Sequence, residues 1–321
     1  TGGVVYTQTF RAPKRSAEMK EIIRITFGLT ISCLVAGLLM GSVFIITDKA
    51  KKHNEQVNEH RTMMALLGYN KRNPAPSDFN MHTFYRYIIE DGNTKTLGYL
   101  LPVRRAEGIG YDLVVLTLKG RFVQRDQLDL APQAASEAPE RQRALREALP
   151  PSQEFTYADS TTVACLGDKR RAYLIPGEFP GFKTFIEVML AVDPAFEVIG
   201  LEIMEHEEDP GLGAEIERDY FKNQFKGKSF AEVKDLKVIK EPMPEDYRKS
   251  LQSETAQEAI PKGVVDTVRS QYQDEDIYAL TGATISSRAV TVGVKNMMKK
   301  FAYRVNILND VVTGQDIPVA F

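Results

Sequence analysis

The residues best suited to chemistry are four hydroxyls in one short run, TGATISSRAV at 281–290: Thr281, Thr284, Ser286 and Ser287. Gly282 and Ala283 strip the run of bulk. An amphipathic pattern follows, with Val290, Val294, Met297 and Phe301 at i, i+4, i+7 and i+11. A side-chain-poor turn feeding a helix presents unpaired N–H groups and a partial positive charge, a setting that suits a phosphate. A hydroxyl there can cap the helix or be esterified. Ser286 and Ser287 lie nearest the helix start and suit the capping role. Thr284 directly follows the two small residues, so its Oγ is open to an incoming phosphate. On physical grounds alone all four stay in contention.

A second constellation is EHEEDPGLGAEI at 205–216. Its Pro210-Gly211-Leu212-Gly213 segment reads as a turn whose glycines let backbone approach another group closely. A helix is expected after it, over 214–225.

The string TGATISS resembles the flavinylation motif of the FMN-binding-domain family. That family is found in the G subunit of the Rnf ion-translocating ferredoxin:NAD+ oxidoreductase and in the C subunit of the sodium-pumping NADH:quinone oxidoreductase. The second constellation resembles the family's Glu-Thr-Pro-Gly-Leu-Gly motif, with Glu208 at the Glu and Asp209 in place of the Thr. Between the two lies a Phe-x-x-Gln-Phe-x-Gly-Lys run (Phe221, Gln224, Phe225, Gly227, Lys228), and before them a Gly181-Phe182 turn. The resemblance covers 20–60 loosely and 177–303 well, and leaves out 120–170. It implies FMN held covalently through a phosphoester on Thr284, installed by a flavin transferase. Thr281, Gly282, Ala283, Ile285, Ser286, Glu208, Leu212 and Gly213 would be the other cofactor-binding residues. It implies no catalytic residue and no metal, and a redox subunit without substrate chemistry of its own. The Asp usual three positions before the first hydroxyl of the motif is Tyr278 here, with Asp276 the nearest acid.

These motifs need a scaffold, and the composition allows one. The chain has 321 residues, 43% of them hydrophobic, and a formal charge of −2, enough for a full core and without the basic excess of a nucleic-acid binder. Cys33 and Cys165 are too few and too far apart for a cluster or a c-type haem. The four histidines show no metal-ligand spacing.

The expected organisation is an α+β FMN-binding domain anchored by one N-terminal transmembrane helix. A polar, irregular tail covers 1–24. Residues 25–46 carry no charge; at about 1.5 Å per residue they reach about 33 Å, enough to cross a bilayer core. Gly37 and Gly41 stand in GxxxG spacing. A charged helical stalk is expected over 47–70. Strand-like segments at 83–89, 96–102 and 111–119 belong to a first part of the domain, 71–123, with turns at 91–92 and 108–110. Residues 124–154, rich in Gln, Ala, Glu, Arg and Pro, read as a surface insertion with a short helix at 141–148. The FMN-binding part spans 155–303, with strands at 171–175, 185–192 and 197–204, a turn at 177–182, a loop-rich charged face over 229–262 and a short helix at 267–272. The tail is 304–321. The segment at 108–120 echoes that at 180–193, from a duplicated half or from an insert splitting one sheet.

The resemblance implies a single-pass protein of the inner (cytoplasmic) membrane with its large domain outside. Basic residues before and after the span nearly balance. Implied partners are iron–sulfur and multi-span subunits of a membrane redox complex and the flavin transferase. An Rnf-type electron-transfer subunit is the preferred reading. Its alternatives are the corresponding quinone-reductase subunit, a membrane-anchored flavin sensor or regulator, and an anchor that has lost its flavin.

Overall fold

The structure, a computed structural model, describes residues 15–252 and 262–321. The first fourteen residues of the expected tail and residues 253–261 of the expected charged face lie outside the described residues. The chain forms two units, Thr1–Glu59 and His60–Phe321.

The first unit holds most of one helix, α1 (Arg15–Leu66). It starts ten residues before the apolar run, so residues 15–24 are helical rather than irregular; Glu, Met, Lys and Arg, which dominate there, are good helix formers. Within it Met19–Ile45 has a mean hydropathy of 2.1 and no buried residue, long and apolar enough to cross a membrane.

The second unit is built on an eight-stranded sheet. Its strands are β1 (Phe79–Asp91), β2 (Thr94–Arg105), β3 (Gly108–Thr117), β4 (Phe122–Leu128), β5 (Glu154–Leu166), β6 (Lys169–Pro180), β7 (Phe185–Val192) and β8 (Val198–Glu205). Helices α2 (Pro132–Ala135) and α3 (Ala138–Ala148) separate β4 from β5. The spatial order is β4-β3-β2-β1-β5-β6-β7-β8, every pair antiparallel. Two four-stranded meanders therefore run outward from a central β1–β5 pair. The echoing segments contain β3 and β7, the third strand of each meander. After β8 come a 3-10 turn (Gly213–Glu217), α4 (Asp219–Lys222), α5 (Phe230–Val233), β9 (Val238–Ile239), α6 (Glu245–Ser250), α7 (Lys262–Gln271), β10 (Ile277–Tyr278) and α8 (Thr284–Gly314). Parallel pairing of β9 with β10 makes a small second sheet.

Strand alternation sends successive side chains to opposite faces. One face carries Phe84, Tyr99, Leu101, Val114, Val163, Ile175, Val188 and Leu190, packed with Val290, Val294, Met298, Phe301, Val305 and Leu308 of α8. On the other face Tyr85, Tyr87, Leu100 and Leu113 meet Ala144, Leu145 and Leu149, while Ala164, Leu174 and Met189 meet Met63 and Leu66 at the end of α1.

Several expectations change here. Residues 124–154 are structural rather than an insertion: β4 pairs with β3, and α3 closes the second core with Leu145 fully buried. Their polar composition concealed this because α3 needs only a narrow apolar stripe over the sheet. The end of the expected stalk likewise packs on the sheet. Residues 108–110 open β3 instead of forming a turn, and 177–180 extend β6, leaving the turn at 181–184. The helix expected over 214–225 breaks at Arg218, which takes an extended conformation (φ −72°, ψ 141°). In the tail, α8 continues to Gly314, Val319 bridges to Val103, and Phe321 stacks on Phe84.

Candidate functional site

Three loops meet at the N-terminus of α8: residues 181–184 after β6, 206–213 after β8, and 279–284 after β10. The last is held from beneath by Gln224, 2% exposed, whose amide pairs with the backbone of Tyr278: Tyr278 N–H donates to Oε1 (2.7 Å) and Nε2 donates to Tyr278 O (3.2 Å). Lys228, equally buried, donates from Nζ to the carbonyls of Gln273 and Glu275, each at 2.7 Å; burial lowers its pKa. Such fully paired buried polar groups fix backbone geometry. Gly282 turns the chain with φ +78°, a conformation costly for any residue with a Cβ.

Glu208 is the centre of the junction. It is 5% exposed, and its Oε1 accepts from the N–H groups of Phe182 (2.7 Å) and Lys183 (3.1 Å). Its Oε2 accepts from Ser286 Oγ, so one carboxylate ties two of the loops to the first turn of α8. Gly213 makes this possible: a Cβ there would stand 2.6 Å from Glu208 Oε2 and 2.8 Å from Ser286 Oγ. His206 holds the start of the same turn, its Nδ1 accepting from Glu208 N–H at 3.0 Å.

The loops enclose a pocket of about 270 Å³ lined by Phe182, Glu208, Asp209, Leu212, Gly213 and residues 282–286. Eight of the nine residues expected in the site are in this lining; Thr281 is exposed and outside it. Phe182 and Asp209 line it as well. Both stand in stretches that carry the family resemblance, the Gly181-Phe182 turn and the Pro-Gly-Leu-Gly motif, but nothing local says that these stretches reach the turn at 281–284.

The four hydroxyls separate by environment. Ser287 is fully buried, donating to Ala283 O (2.9 Å) and accepting from Leu280 N–H (3.0 Å). Ser286 is engaged with Glu208. Thr281 stands outside the pocket. Thr284 is half-buried on the pocket wall and makes no side-chain hydrogen bond with the described residues. The first α8 amide paired within the turn is Ser287 N–H, to Ala283 O at 3.0 Å, leaving those of Thr284, Ile285 and Ser286 as the orphan donors of the helix start. The lining holds two carboxylates and no lysine or arginine. Lys183 lies just beyond it, paired with Asp209, which raises its pKa. Tyr278 is buried, its pKa raised by desolvation; it sits among Tyr247, whose pKa burial pushes up to about 12, and Leu251, turned into packing rather than toward the pocket.

Comparison with known proteins places this geometry. Residues 181–299, which contain all three loops, match the family described as FMN-binding domain. The chain is also 35% identical over 134 residues to the G subunit of the proton-translocating ferredoxin:NAD(+) oxidoreductase complex of Clostridium ljungdahlii, a match covering 42% of this chain and 55% of the relative. The chain thus spans about half the length of that relative. Among solved structures, NqrC of Shewanella oneidensis aligns over 76% of this chain and 88% of its own, with 13% identity and a TM-score of 0.36.

Proposed function

We propose that this chain is a membrane-anchored electron-transfer subunit of an Rnf-type ion-translocating ferredoxin:NAD+ oxidoreductase, carrying FMN in a phosphoester with Thr284. The observation that carries the reading is the Thr284 hydroxyl, unengaged on the pocket wall beside three orphan amides, while its two serine rivals are committed to structural bonds.

The pocket's own chemistry supports a covalent bond over reversible binding. A free phosphate monoester carries about −1.5 to −2 charge near neutral pH. Glu208, whose carboxylate is met only by neutral donors, would repel it, while Asp209 is already paired with Lys183 just outside the lining. Esterification reduces the phosphate to a single negative charge, which the amides of residues 284–286 and the helix dipole accommodate. The volume points the same way, since about 270 Å³ falls just below the range of pockets that bury a drug-sized ligand (roughly 300–1,000 Å³). Phe182, Leu212 and Ile285 expose apolar surface around the mouth against which a flat ring would rest. Bound there, the flavin supplies reversible electron uptake and release. The residues supply position, partial shielding from water and hydrogen bonds.

The remaining assignments go with that reading: α1 as the single membrane anchor, the large domain on the extracytoplasmic side, iron–sulfur and multi-span subunits as neighbours, and a flavin transferase as the maturing enzyme. Relatedness to the proton-translocating relative supports the preference for the ferredoxin:NAD+ complex over the quinone-reductase one.

The test is flavin attachment. Thr284→Ala should remove all in-gel flavin fluorescence while the protein still folds and inserts, and Thr281→Ala should remove little. Peptide mass spectrometry should find the FMN mass on Thr284. Its appearance on Ser286 or Ser287, or fluorescence persisting in Thr284→Ala, would overturn the assignment.

A further inference from the structure

The central sheet is split. Strand β5 pairs with β6 only from Thr162↔Leu174 to Leu166↔Lys169, so residues 154–161 of β5 and 175–180 of β6 run on without pairing to each other. Continuing the register would set Pro176 opposite Ser160 and Pro180 opposite Thr156. Both prolines pair with β7 on their other side. Proline lacks the N–H a ladder needs, and that is why the two strands part where they do.

Between them lies a cleft of about 1030 Å³. Asp159, which faces α8, and Tyr157, which packs on Tyr87 of the opposite face, both line it, so the cleft passes through the plane of the sheet. Its two walls differ in chemistry. The β6 wall is guarded by the prolines and carries Glu178, with Glu187 beside it. The β5 wall has no proline and no lysine from 154 to 161 but is rich in strand formers, Phe155, Thr156, Tyr157 and Thr161. Cations gather on that side. Arg86 and Arg304 both bond the single carboxylate of Asp159, Arg86 Nε at 2.9 Å and Arg304 Nη1 at 2.8 Å, and Lys300 stands exposed nearby on α8.

We propose that this cleft is a docking site for an extended peptide segment of a partner protein, which adds a strand along residues 155–161 of β5 and sets an acidic side chain toward Arg304 and Lys300. Two features commit the occupant. Residues 155–161 pair with β1 along one edge and leave the edge toward β6 without a strand partner, and such an edge recognises another strand, with main-chain bonds giving affinity and alternate side chains giving selectivity. Two guanidiniums sharing one carboxylate, with an ammonium beside them, favour an acid on the face toward α8. The prolines opposite leave β5 as the pairing edge. This site is independent of the flavin reading.

The test uses the 321-residue chain in detergent and an acetylated heptapeptide, Val-Thr-Val-Asp-Val-Thr-Val. It should protect the amides of 155–161 from hydrogen exchange and leave those of the outer edges, β4 and β8, unchanged. N-methylation of alternate peptide residues should weaken binding at least about tenfold, by loss of several main-chain bonds. Lys300→Glu should weaken it up to about fivefold, the scale of an exposed ion pair, and a heptapeptide with Lys for Asp should show the reverse preference. Absence of protection at 155–161 at millimolar peptide, or equal binding of the N-methylated peptide, would overturn the proposal. So would protection that appears without peptide as the chain is concentrated, which would make a second copy the occupant.

Discussion

The two meanders of the sheet return differently after their fourth strands. Beyond β4 the chain forms α2 and α3 and lays Ala144, Leu145 and Leu149 over Tyr87, Leu100 and Leu113. The buried cation of that return, Arg141, is 7% exposed, bonded to Tyr87 Oη and the carbonyls of Ala135 and Ser136, and lies 4.1 Å above the Tyr85 ring. Beyond β8 the chain also covers the sheet, with Phe221, Phe225 and the apolar stripe of α8. Before doing so it makes a tight turn in which the buried carboxylate of Glu208 gathers donors from another loop and from the first turn of α8, leaving an open pocket at the rim of that core. Similar strand frameworks thus end in packing alone on one side and in packing with a pocket at its rim on the other. The difference lies in what the return segment carries: a narrow apolar stripe with a self-satisfied arginine, or Glu208 followed by glycines.

That contrast can be broken first at the segment whose composition reads as dispensable. Deleting residues 124–154 removes most of β4 together with α2 and α3, and exposes the inner edge of β3 and the second core. The shortened domain should fail to fold, seen as loss of a cooperative thermal transition. A deletion variant with a normal melting curve and full flavin content would restore the surface-insertion reading. A gentler version is Leu145→Ala, which should cost about 2–5 kcal/mol, the range for a buried leucine, measured by urea unfolding. Flavin per folded molecule should stay the same, because Leu145 touches nothing in the pocket.

Gly213→Ala should show the opposite pattern. The new Cβ meets the Glu208 carboxylate and the Ser286 hydroxyl, both inside normal contact distance. The expected stability loss is about 1–3 kcal/mol, as for overpacking, with a disproportionate loss of flavin incorporation because all three loops shift. If stability falls and incorporation does not, Glu208 is a structural tie and not a support of the site.

The legibility of the sequence follows the same division. Contiguous motifs can be read directly: the TGATISS turn, the Pro-Gly-Leu-Gly turn and the apolar run in α1 are local features whose meaning needs no partner. Strand positions are legible where side chains alternate, though β6 is longer than its alternation suggests because a strand paired on one side tolerates Pro176 and Pro180 on its other edge. Segment 124–154 reads as an insertion because its apolar residues are few, and only the sheet beneath shows that they suffice.

By itself the sequence determined the α+β class, the long apolar helix, the glycine turns and the short list of candidate hydroxyls, since each depends on residue type and near-neighbour spacing. Only the tertiary structure decided which of those hydroxyls are engaged in structural bonds. Ser286 and Ser287 have the better capping positions, but Glu208, 78 residues upstream of Ser286, and the carbonyl of Ala283 claim them. Thr284 is left facing the pocket, because a hydrogen bond already made, to a carboxylate distant in sequence for Ser286 or to a carbonyl one turn back for Ser287, removes a group from the chemistry its local setting would otherwise allow.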